Sequence, residues 1–298
     1  MPDLDEATIK EQVREFYDRV GWQQMGEGLY QNARYEDLRP VSQEYIQRCH
    51  QRVSRALGTA GNLLLDAGSG PVQYPDYLAY SQGYRQRVCA DLSITALKEA
   101  RLRLGEHGWY VVCDIARLPF KAQAFDGIVS LHAVHHVPYP EQPKAYGNLY
   151  RVLKPGRSAA IVNAWNRSSL MTHWQWLVRS MDWLMGVRRR LSGGKTQPPV
   201  ETSPTNVAPS SQPATGTYTR HYDANTLLAE LARLGVPAEL RPWRSLSVRF
   251  LRVVIHPRLA GRAVLKLVYW LEERYPTYFG RNGQYPLIIL RKPQQEKS

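Results

Sequence analysis

With 298 residues, 43% of them apolar, the chain can bury one large core plus an elaboration, which suits one domain with a cap. Lys and Arg number 39 against 26 Asp and Glu, so the formal net charge is +13 and an anionic partner or surface is favoured. No apolar run reaches roughly 18 residues, so a membrane-spanning protein is not expected. The first residues are charged and the three cysteines lack metal spacing, so a secreted disulfide scaffold is not expected either. We expect a cytoplasmic protein with at most peripheral membrane contact.

The first predicted element is a helix over residues 9–20. Its apolar residues recur at helical spacing, so we expect them to pack: Ile9, Val13, Phe16 and Val20. Aromatic residues are dense in and after this helix: Tyr17, Trp22, Tyr30 and Tyr35. These rings can fill core, or they can present an aromatic face to a bound cation. We assign residues 1–60 to an N-terminal helical cap.

The most informative segment, NLLLDAGSGPVQYP, is a predicted strand over residues 62–65 that leads into a glycine turn. Gly68 and Gly70 allow positive φ and let a ligand lie against the backbone, while Asp66 contributes a negative charge at the carboxyl edge. A dinucleotide-binding loop requires a third glycine where this chain has Gln73. The pattern therefore disfavours hydride chemistry and favours a positively charged cofactor such as S-adenosylmethionine.

Further apolar runs at regular intervals predict strands over residues 87–91, 110–114, 125–131 and 159–165. The first two end in Asp91 and Asp114, and Ser93 is placed to cap a helix that runs to Leu104. Runs over residues 239–243 and 286–291 complete seven strands. Strands alternating with helices imply a parallel sheet, whose ligands gather at the carboxyl edge where the strand order reverses.

The runs LLLDAGSG, VCADLS, VVCDIARLPF, FDGIVSLHAVHHVP and RVLKPGR, in this order, resemble class I S-adenosylmethionine-dependent methyltransferases of the small-molecule type, similar to the ubiquinone/menaquinone-biosynthesis and sterol group. The resemblance implies an α/β fold with a doubly wound, seven-stranded, mostly parallel Rossmann-like sheet and a helical cap or lid from insertions. It implies S-adenosylmethionine as cofactor and a set of cofactor-binding residues: Asp66, Ala67, Gly68, Gly70, Asp91, Leu92, Asp114, Ile115, Ser130 and Leu131, with Tyr17 as a candidate to cover the cofactor. Asp91 would hold the ribose, and Asp114 with Ile115 the adenine. Val72 and Arg157 stand where relatives have small residues.

Three histidines follow the fourth predicted strand, and two of them are the candidate catalytic residues. We assign His135 as the general base and His136 as its neighbour in the site, and His221 also titrates in the right range. The alternative is that these side chains are structural. Since HAVHH lacks the glutamate of a helical zinc motif and no cysteine pair accompanies it, we predict no metal site.

Charge divides the chain into two unlike halves. Residues 1–150 hold 16 Lys or Arg and 18 Asp or Glu, a net charge of −2, whereas residues 151–298 hold 23 and 8, a net charge of +15. We divide the chain after the cap into a cofactor-binding core over residues 61–166, a Trp-rich lid helix over 167–191 and a disordered linker over 192–217. Residues 218–298 return to the core and carry a basic helical insertion over about 244–285.

The insertion is far longer than the link that two neighbouring strands need. Its basic residues Arg258, Arg262 and Lys266 recur opposite the apolar residues Leu259, Val264, Leu267 and Leu271. We expect the apolar face to pack on the core and the basic face to be solvated. The alternative is a surface helix that rests on anionic lipid or admits an apolar substrate.

The predicted function is in-line transfer of a methyl group to a small apolar, aromatic or isoprenoid molecule. An RNA methyltransferase would explain the basic half, but the chain lacks NPPY-like, DPPY-like and Pro-Cys motifs and shows no RNA-binding module, so nucleic acid is disfavoured as a partner. A noncatalytic, membrane-associated relative is the third alternative. The acceptor atom, the pathway and the oligomeric state stay open.

Overall fold

A computed structural model describes residues 5–22, 36–58, 60–191 and 217–294. In this part of the chain, seven strands form one sheet: β1 Gly61–Ala67, β2 Tyr84–Asp91, β3 Gly108–Val112, β4 Gly127–Leu131, β5 Ser158–Val162, β6 Ala238–Arg244 and β7 Tyr285–Arg291. Their order across the sheet is β3-β2-β1-β4-β5-β7-β6. The predicted fold class, a doubly wound α/β sheet, is confirmed.

The sheet is parallel from β3 to β5 and becomes antiparallel only at β7. Leu65 pairs with Val88 on one side of β1 and with Ile128 on the other, whereas Ile161 and Ile288 pair antiparallel. Since β6 is also antiparallel to β7, it runs in the same direction as β1 to β5. The carboxyl ends of six strands therefore meet at one edge of the sheet, and this edge positions the candidate site.

Eleven α-helices lie within the described residues: α1 Glu6–Phe16, α2 Gln43–Leu57, α3 Pro75–Ala79, α4 Ile94–Leu104, α5 Gln142–Val152, α6 Ser169–His173, α7 Gln175–Leu191, α8 Ala224–Arg233, α9 Val248–Val254, α10 Gly261–Arg274 and α11 Pro276–Asn282. The cap predicted at Ser93 is confirmed, because its side chain accepts a hydrogen bond from the backbone of α4, and Asp223 caps α8 in the same way. None of the helices described is long and apolar enough to cross a membrane.

Helices cover both faces of the sheet, so adjacent strand residues enter different cores. Leu65 and Ile288 pack in a cluster beneath α5 and α8, whereas Leu64 and Leu287 pack beneath α2, α9 and α10. Because successive side chains of a strand point to opposite faces, a strand buried on both faces becomes a continuous apolar run. This explains why LLL and PLIIL were recognisable as strands from sequence.

Two predicted strands end earlier than expected, because a polar side chain turns the backbone. Asp114 accepts a hydrogen bond from the Ala116 amide at 2.8 Å and caps a short 3-10 turn, so β3 ends at Val112 rather than at 114. The Asn163 side chain likewise accepts from the Ala164 amide at 3.0 Å, so β5 ends at Val162 rather than at 165. Such side-chain bonds compete with the strand ladder.

The predicted lid helix is two helices, α6 and α7, which are separated at Trp174. The N-terminal helix is also shorter than predicted, because α1 ends at Phe16 and a π-helical turn continues over Tyr17–Gly21. Ile9 and Val13 are buried as expected. Nearly all of the predicted linker lies outside the described residues, and the domain boundaries stay predictions.

The expectation that the apolar face of the insertion packs on the core is wrong. Leu259, Val264 and Leu267 are exposed, and α10 instead buries the side that carries Leu265 and Glu272. The Glu272 carboxylate sets this rotation, since four donors converge on it: the Tyr45 hydroxyl at 2.7 Å, the Ser245 amide at 2.8 Å, the Ser245 hydroxyl at 2.5 Å and the Arg52 guanidinium at 2.8 Å. A buried carboxylate with fewer donors would cost more than exposed leucines.

Candidate active site

The loop after β1 has the left-handed backbone that its glycines predict. Gly68 has a φ of 71° and Gly70 of 54°. A Cβ added to Gly68 would lie 2.2 Å from the Ala133 Cβ, and one added to Gly70 would lie 2.9 Å from the Trp22 ring. Larger residues are excluded at both positions, so the chain is bare of side chains where the loop meets the ends of β2 and β4.

Asp66 lies inside β1 and forms a buried ion pair with Arg87 of β2. Its Oδ2 accepts from Arg87 Nη2 at 2.5 Å and from Nε at 3.1 Å. Sequence reasoning missed Arg87, although an arginine within an otherwise apolar strand is a signal of a buried partner. The pairing neutralises Asp66 locally, and its contact with a methionine moiety stays a prediction.

Asp91 ties the glycine loop to the end of β2. One carboxylate oxygen accepts from the Gly70 amide at 2.9 Å and the other from the Ser93 amide at 2.9 Å. Burial raises the pKa of Asp91 to about 6, although both hydrogen bonds oppose the shift. The side chain is nevertheless partly accessible, so it lies at the surface of this edge rather than inside the core.

Asp114 is the second carboxylate at this edge and is paired with α1. Its Oδ2 lies 2.6 Å from Lys10 Nζ, and the same ammonium group bonds the buried carboxylate of Glu141. Ile115 beside it is almost fully buried. Sequence reasoning missed Lys10, since no local spacing indicates a pair between residues this far apart in the chain.

The segment after α1 lies across the glycine loop. The Tyr17 hydroxyl lies 2.7 Å from His136 Nε2, and Asp18 accepts from the Ser93 hydroxyl at 2.5 Å. Trp22 stacks on Tyr17 with ring centroids 5.1 Å apart and reaches Gly70. The segment therefore contacts the ends of β1, β2 and β4 together, where Tyr17 was predicted to cover a cofactor. Tyr30 and Tyr35 lie outside the described residues.

The structure brings the candidate catalytic histidines together with two others. The ring centroids of His135 and His136 are 4.2 Å apart, those of His135 and His221 are 4.7 Å apart, and those of His132 and His135 are 6.2 Å apart. Burial lowers the pKa of His132 to about 3, that of His136 to about 4, and that of His135 well below its usual value. All three imidazoles are therefore neutral at physiological pH.

Hydrogen bonds determine which ring nitrogens carry protons. His136 Nδ1 lies 2.8 Å from the Tyr218 carbonyl, which can only accept, so Nδ1 is protonated and Nε2 accepts from Tyr17. His135 Nδ1 lies 2.5 Å from Asn163 Oδ1, and the same oxygen accepts from the Ala164 amide. His135 Nε2 therefore holds a lone pair that can take a proton. Asn163 was missed by sequence reasoning.

Five rings beside this cluster form what we call the aromatic wall: His50, Tyr77, His132, Trp243 and Tyr285. His132 lies 5.2 Å from Trp243 and 5.6 Å from Tyr285 between ring centroids, and His50 lies 5.3 Å from Trp243 and 5.5 Å from Tyr77. His132, Tyr77 and Tyr285 are partly accessible, yet burial shifts the pKa of each toward its neutral form. These three side chains are therefore partly accessible to solvent while largely surrounded by protein.

The remaining predicted cofactor-binding residues lie at the same edge. Ala67 is fully buried at the end of β1, and the buried Ser130 hydroxyl donates to its carbonyl at 2.7 Å, which holds β4 against β1. Leu92 and Leu131 are partly exposed at the ends of their strands. In the described part of the chain, no group of three or more His, Cys, Asp or Glu side chains is arranged to hold a metal ion.

Known proteins share the sequence pattern and the strand order of this part of the chain. Residues 65–161 match a family model described as a methyltransferase domain, and the seven-stranded order given above is the one these proteins share. The matched residues form a methyltransferase domain of the class I, S-adenosylmethionine-dependent type. The match covers β1 to β5 and therefore every predicted cofactor-binding residue except Tyr17.

The similar proteins match this chain over part of their length. A sterol 24-C-methyltransferase of Eremothecium gossypii is 28% identical over 54% of this chain and 43% of its own length. A ubiquinone/menaquinone biosynthesis C-methyltransferase of a Marinomonas species is 30% identical over 42% of this chain and 52% of its own. The chain thus spans about half the length of the curated relatives it matches. The crystal structure of geranyl diphosphate C-methyltransferase from Streptomyces coelicolor, with a TM-score of 0.51, 15% identity and coverage of 98% of this chain and 100% of that one, supports the fold alone.

The carboxyl edge of the matched domain fits S-adenosylmethionine, the cofactor of the family whose model it matches. Each oxygen of Asp91 accepts one backbone hydrogen bond and keeps capacity for another, as a ribose diol requires. The loop at Gly68 and Gly70 keeps its left-handed backbone close to Ala133 and Trp22, and the carboxylates of Asp18 and Asp91 suit a cationic molecule. Which of these residues touch the cofactor stays a prediction.

Proposed function

We propose that the chain transfers the methyl group of S-adenosylmethionine to a small apolar or aromatic molecule held against the aromatic wall. The observation that carries the proposal is the position of that wall, which is continuous with the histidine cluster: His132 belongs to the wall and lies 6.2 Å from His135 between ring centroids. A cleft lined by neutral rings and next to a lone-pair nitrogen suits an uncharged acceptor.

Several residues would hold the cofactor. Asp91 would bind the ribose hydroxyls, Asp114 and Ile115 the adenine, and the segment with Tyr17 and Trp22 would cover the molecule and exclude water. When bound, S-adenosylmethionine supplies a methyl group activated by a sulfonium. Because the methyl group is already electrophilic, the chain's main task is to position the acceptor in line with it.

The charges next to the aromatic wall are paired, which favours an uncharged acceptor. The Arg244 guanidinium lies 4.9 Å from the Trp243 ring and 4.7 Å from the Tyr285 ring, and it forms a buried ion pair with Glu36. Asp66 is neutralised in the same way by Arg87, whose guanidinium also donates to the Tyr77 carbonyl at 2.6 Å. Neither pair leaves a net charge for an ionic acceptor to match.

His135 would take the proton that the acceptor loses. The acceptor's oxygen or ring carbon would gain the methyl group as the bond between that group and the sulfonium sulfur breaks, which leaves a neutral thioether. The acceptor would then release a proton to His135 Nε2, while the Asn163 side-chain oxygen accepts from His135 Nδ1–H and holds the imidazole in place. A base with a lowered pKa is sufficient, since a methylated hydroxyl or ring cation is far more acidic than the acceptor before methylation. His136 would act indirectly by anchoring Tyr17.

The experiment is incubation of the protein with methyl-labelled S-adenosylmethionine and cell extract, followed by phase separation. We expect label in the organic phase, none with Asp91→Ala, and full transfer with Leu102→Ser, a matched surface change on α4. His135→Ala should lower turnover far more than cofactor affinity. Label confined to the aqueous phase would contradict a small apolar acceptor.

A second candidate function is methylation of RNA, which the net charge of +15 over residues 151–298 favours. It predicts label in the nucleic-acid fraction and elution from heparin that depends steeply on salt. A noncatalytic relative would fail to bind S-adenosylhomocysteine in calorimetry. These outcomes separate the three functions in one preparation.

A further inference from the structure

The insertion exposes a row of apolar side chains on α10 and the turn before it. This outer face consists of Leu259, Val264, Leu267 and Trp270, and Leu267 is 57% and Trp270 58% exposed. The side of α10 that carries Leu265 and Glu272 is buried, so the helix cannot turn the outer face inward without breaking the Glu272 cluster. The exposure is thus part of the folded state, and an apolar row of this size marks a contact surface.

Basic residues flank the outer face. Arg262 and Lys266 lie along one side of it, with Arg258 before the helix and Arg274 at its end. Among the described residues, no carboxylate forms a salt bridge with Arg258 or Arg262, and Lys266 reaches only Glu44, at 3.8 Å. A helix with Trp and Leu on one face and Lys and Arg beside them is typical of the interface between lipid headgroups and acyl chains.

A second exposed set lies on α7, which covers the same face of the sheet. Trp176, Trp183 and Leu184 are exposed, while Leu177 and Val178 pack in the core cluster to which Leu265 of α10 also belongs. Asp182 joins α7 to α9 through a salt bridge with Arg249 at 2.9 Å. Tryptophan is favoured at the headgroup level of a bilayer.

We propose that the outer face of α10 docks on an anionic lipid bilayer. The apolar residues would enter the boundary between headgroups and acyl chains, and the flanking arginines and Lys266 would bind lipid phosphates. A second copy of the chain is disfavoured as the occupant, because a symmetric contact would bring the two basic flanks together. Nucleic acid is disfavoured because it offers no apolar surface to Leu259, Val264 and Leu267.

The insertion that carries this surface is joined to the aromatic wall at both of its ends. The insertion leaves the sheet just after Trp243, at the end of β6, and rejoins it at Tyr285, at the start of β7. Both residues belong to the aromatic wall. Docking would therefore bring the cleft close to the phase in which an apolar acceptor dissolves, although the docking proposal does not depend on the acceptor.

The experiment is cosedimentation of the full chain with vesicles of phosphatidylcholine alone and of phosphatidylcholine mixed equally with phosphatidylglycerol. We expect binding to the mixed vesicles that weakens as salt rises. The double variant Leu267→Glu/Trp270→Glu should bind about a hundredfold more weakly, since each large side chain contributes roughly a factor of ten. Arg258→Gln/Arg262→Gln should lose roughly fivefold per charge.

The matched control is Trp109→Glu on the edge strand β3, where Trp109 is 52% exposed. It should bind like the unchanged chain, and circular dichroism should show that every variant is folded. Equal loss in the control, equal binding to both vesicle types, no binding at all, or concentration-dependent dimerisation that Leu267→Glu abolishes would overturn the proposal. If the unchanged chain does not bind vesicles but still transfers the methyl label into the organic phase, docking is overturned and the proposed function stands.

Discussion

The carboxyl edge of β1 to β4 and the insertion between β6 and β7 differ in which side chains they bury. At the carboxyl edge, apolar residues are inside and the candidate carboxylate of Asp91 is partly accessible. In the insertion, the carboxylate of Glu272 is inside and Leu267 and Trp270 are outside. The first region is recognisable from periodicity, and the second contradicts its own periodicity.

One buried polar cluster can therefore set the rotation of a helix. Exposing a leucine or valine forfeits about 1.5–3 kcal/mol. Burying the Glu272 carboxylate without its donors would cost several kcal/mol, and the Arg52 guanidinium would lose its partner as well. The helix therefore keeps Glu272 inside, and its apolar residues stay available for another surface.

The largest expected effect comes from removing that carboxylate. Glu272→Ala leaves the buried Arg52 short of a partner and strands the Tyr45 and Ser245 hydroxyls, so the free energy of unfolding should fall by about 3 kcal/mol or more. Urea denaturation measures the loss. Glu239→Ala on β6 is the control, because that carboxylate is 40% exposed, pairs with the exposed Arg241 and its removal should cost at most about 1 kcal/mol. Equal losses would show that Glu272 does not anchor α10.

The next effect tests the cofactor side through pH. Because burial raises the pKa of Asp91 to about 6, the carboxylate is ionised above that pH and protonated below it. If S-adenosylhomocysteine requires the ionised form of Asp91, it should bind at nearly full strength near pH 7 and about tenfold more weakly near pH 5. His132 and His136, with pKa values of about 3 and about 4, stay neutral throughout and add nothing to this change.

Calorimetric titration with S-adenosylhomocysteine at several pH values checks this dependence. Asp91→Asn should bind more weakly near neutral pH and show no weakening on acidification. A pH dependence that persists in Asp91→Asn would assign the titration to another group and remove the support for the ribose contact.

What could be predicted from sequence were features held in short segments. The run from Asn62 to Gly70 contains a strand, a turn and its positive φ angles within nine positions, because each depends on residue type and near neighbours. The cap at Ser93 is equally local. These features also carried the family resemblance, and the fold followed from them.

What could not be predicted were pairs that only the fold brings together. Arg52 and Glu272 are separated by 220 positions, and no periodicity in α10 reveals that the helix turns toward such a partner. The pairs of Lys10 with Asp114 and of His135 with Asn163 are similar cases. The residue types of a candidate site can be listed from motifs, but tautomers and shifted pKa values depend on neighbours that are distant in the chain.

The smallest effect tests whether the N-terminal segment belongs to the cofactor side. Tyr17→Phe removes the hydroxyl that donates to His136 Nε2 but keeps the ring that stacks on Trp22. The free energy that holds the segment against His136 should therefore fall by about 1 kcal/mol. If the segment covers the bound cofactor, the dissociation constant for S-adenosylhomocysteine should rise about fivefold, since closure and binding are coupled. Tyr278→Phe on α11, where the tyrosine is exposed, is the matched control and should leave the constant unchanged. If Tyr17→Phe also leaves it unchanged while lowering the melting temperature, the segment stabilises the fold without closing over the cofactor, and the predicted role of Tyr17 is wrong.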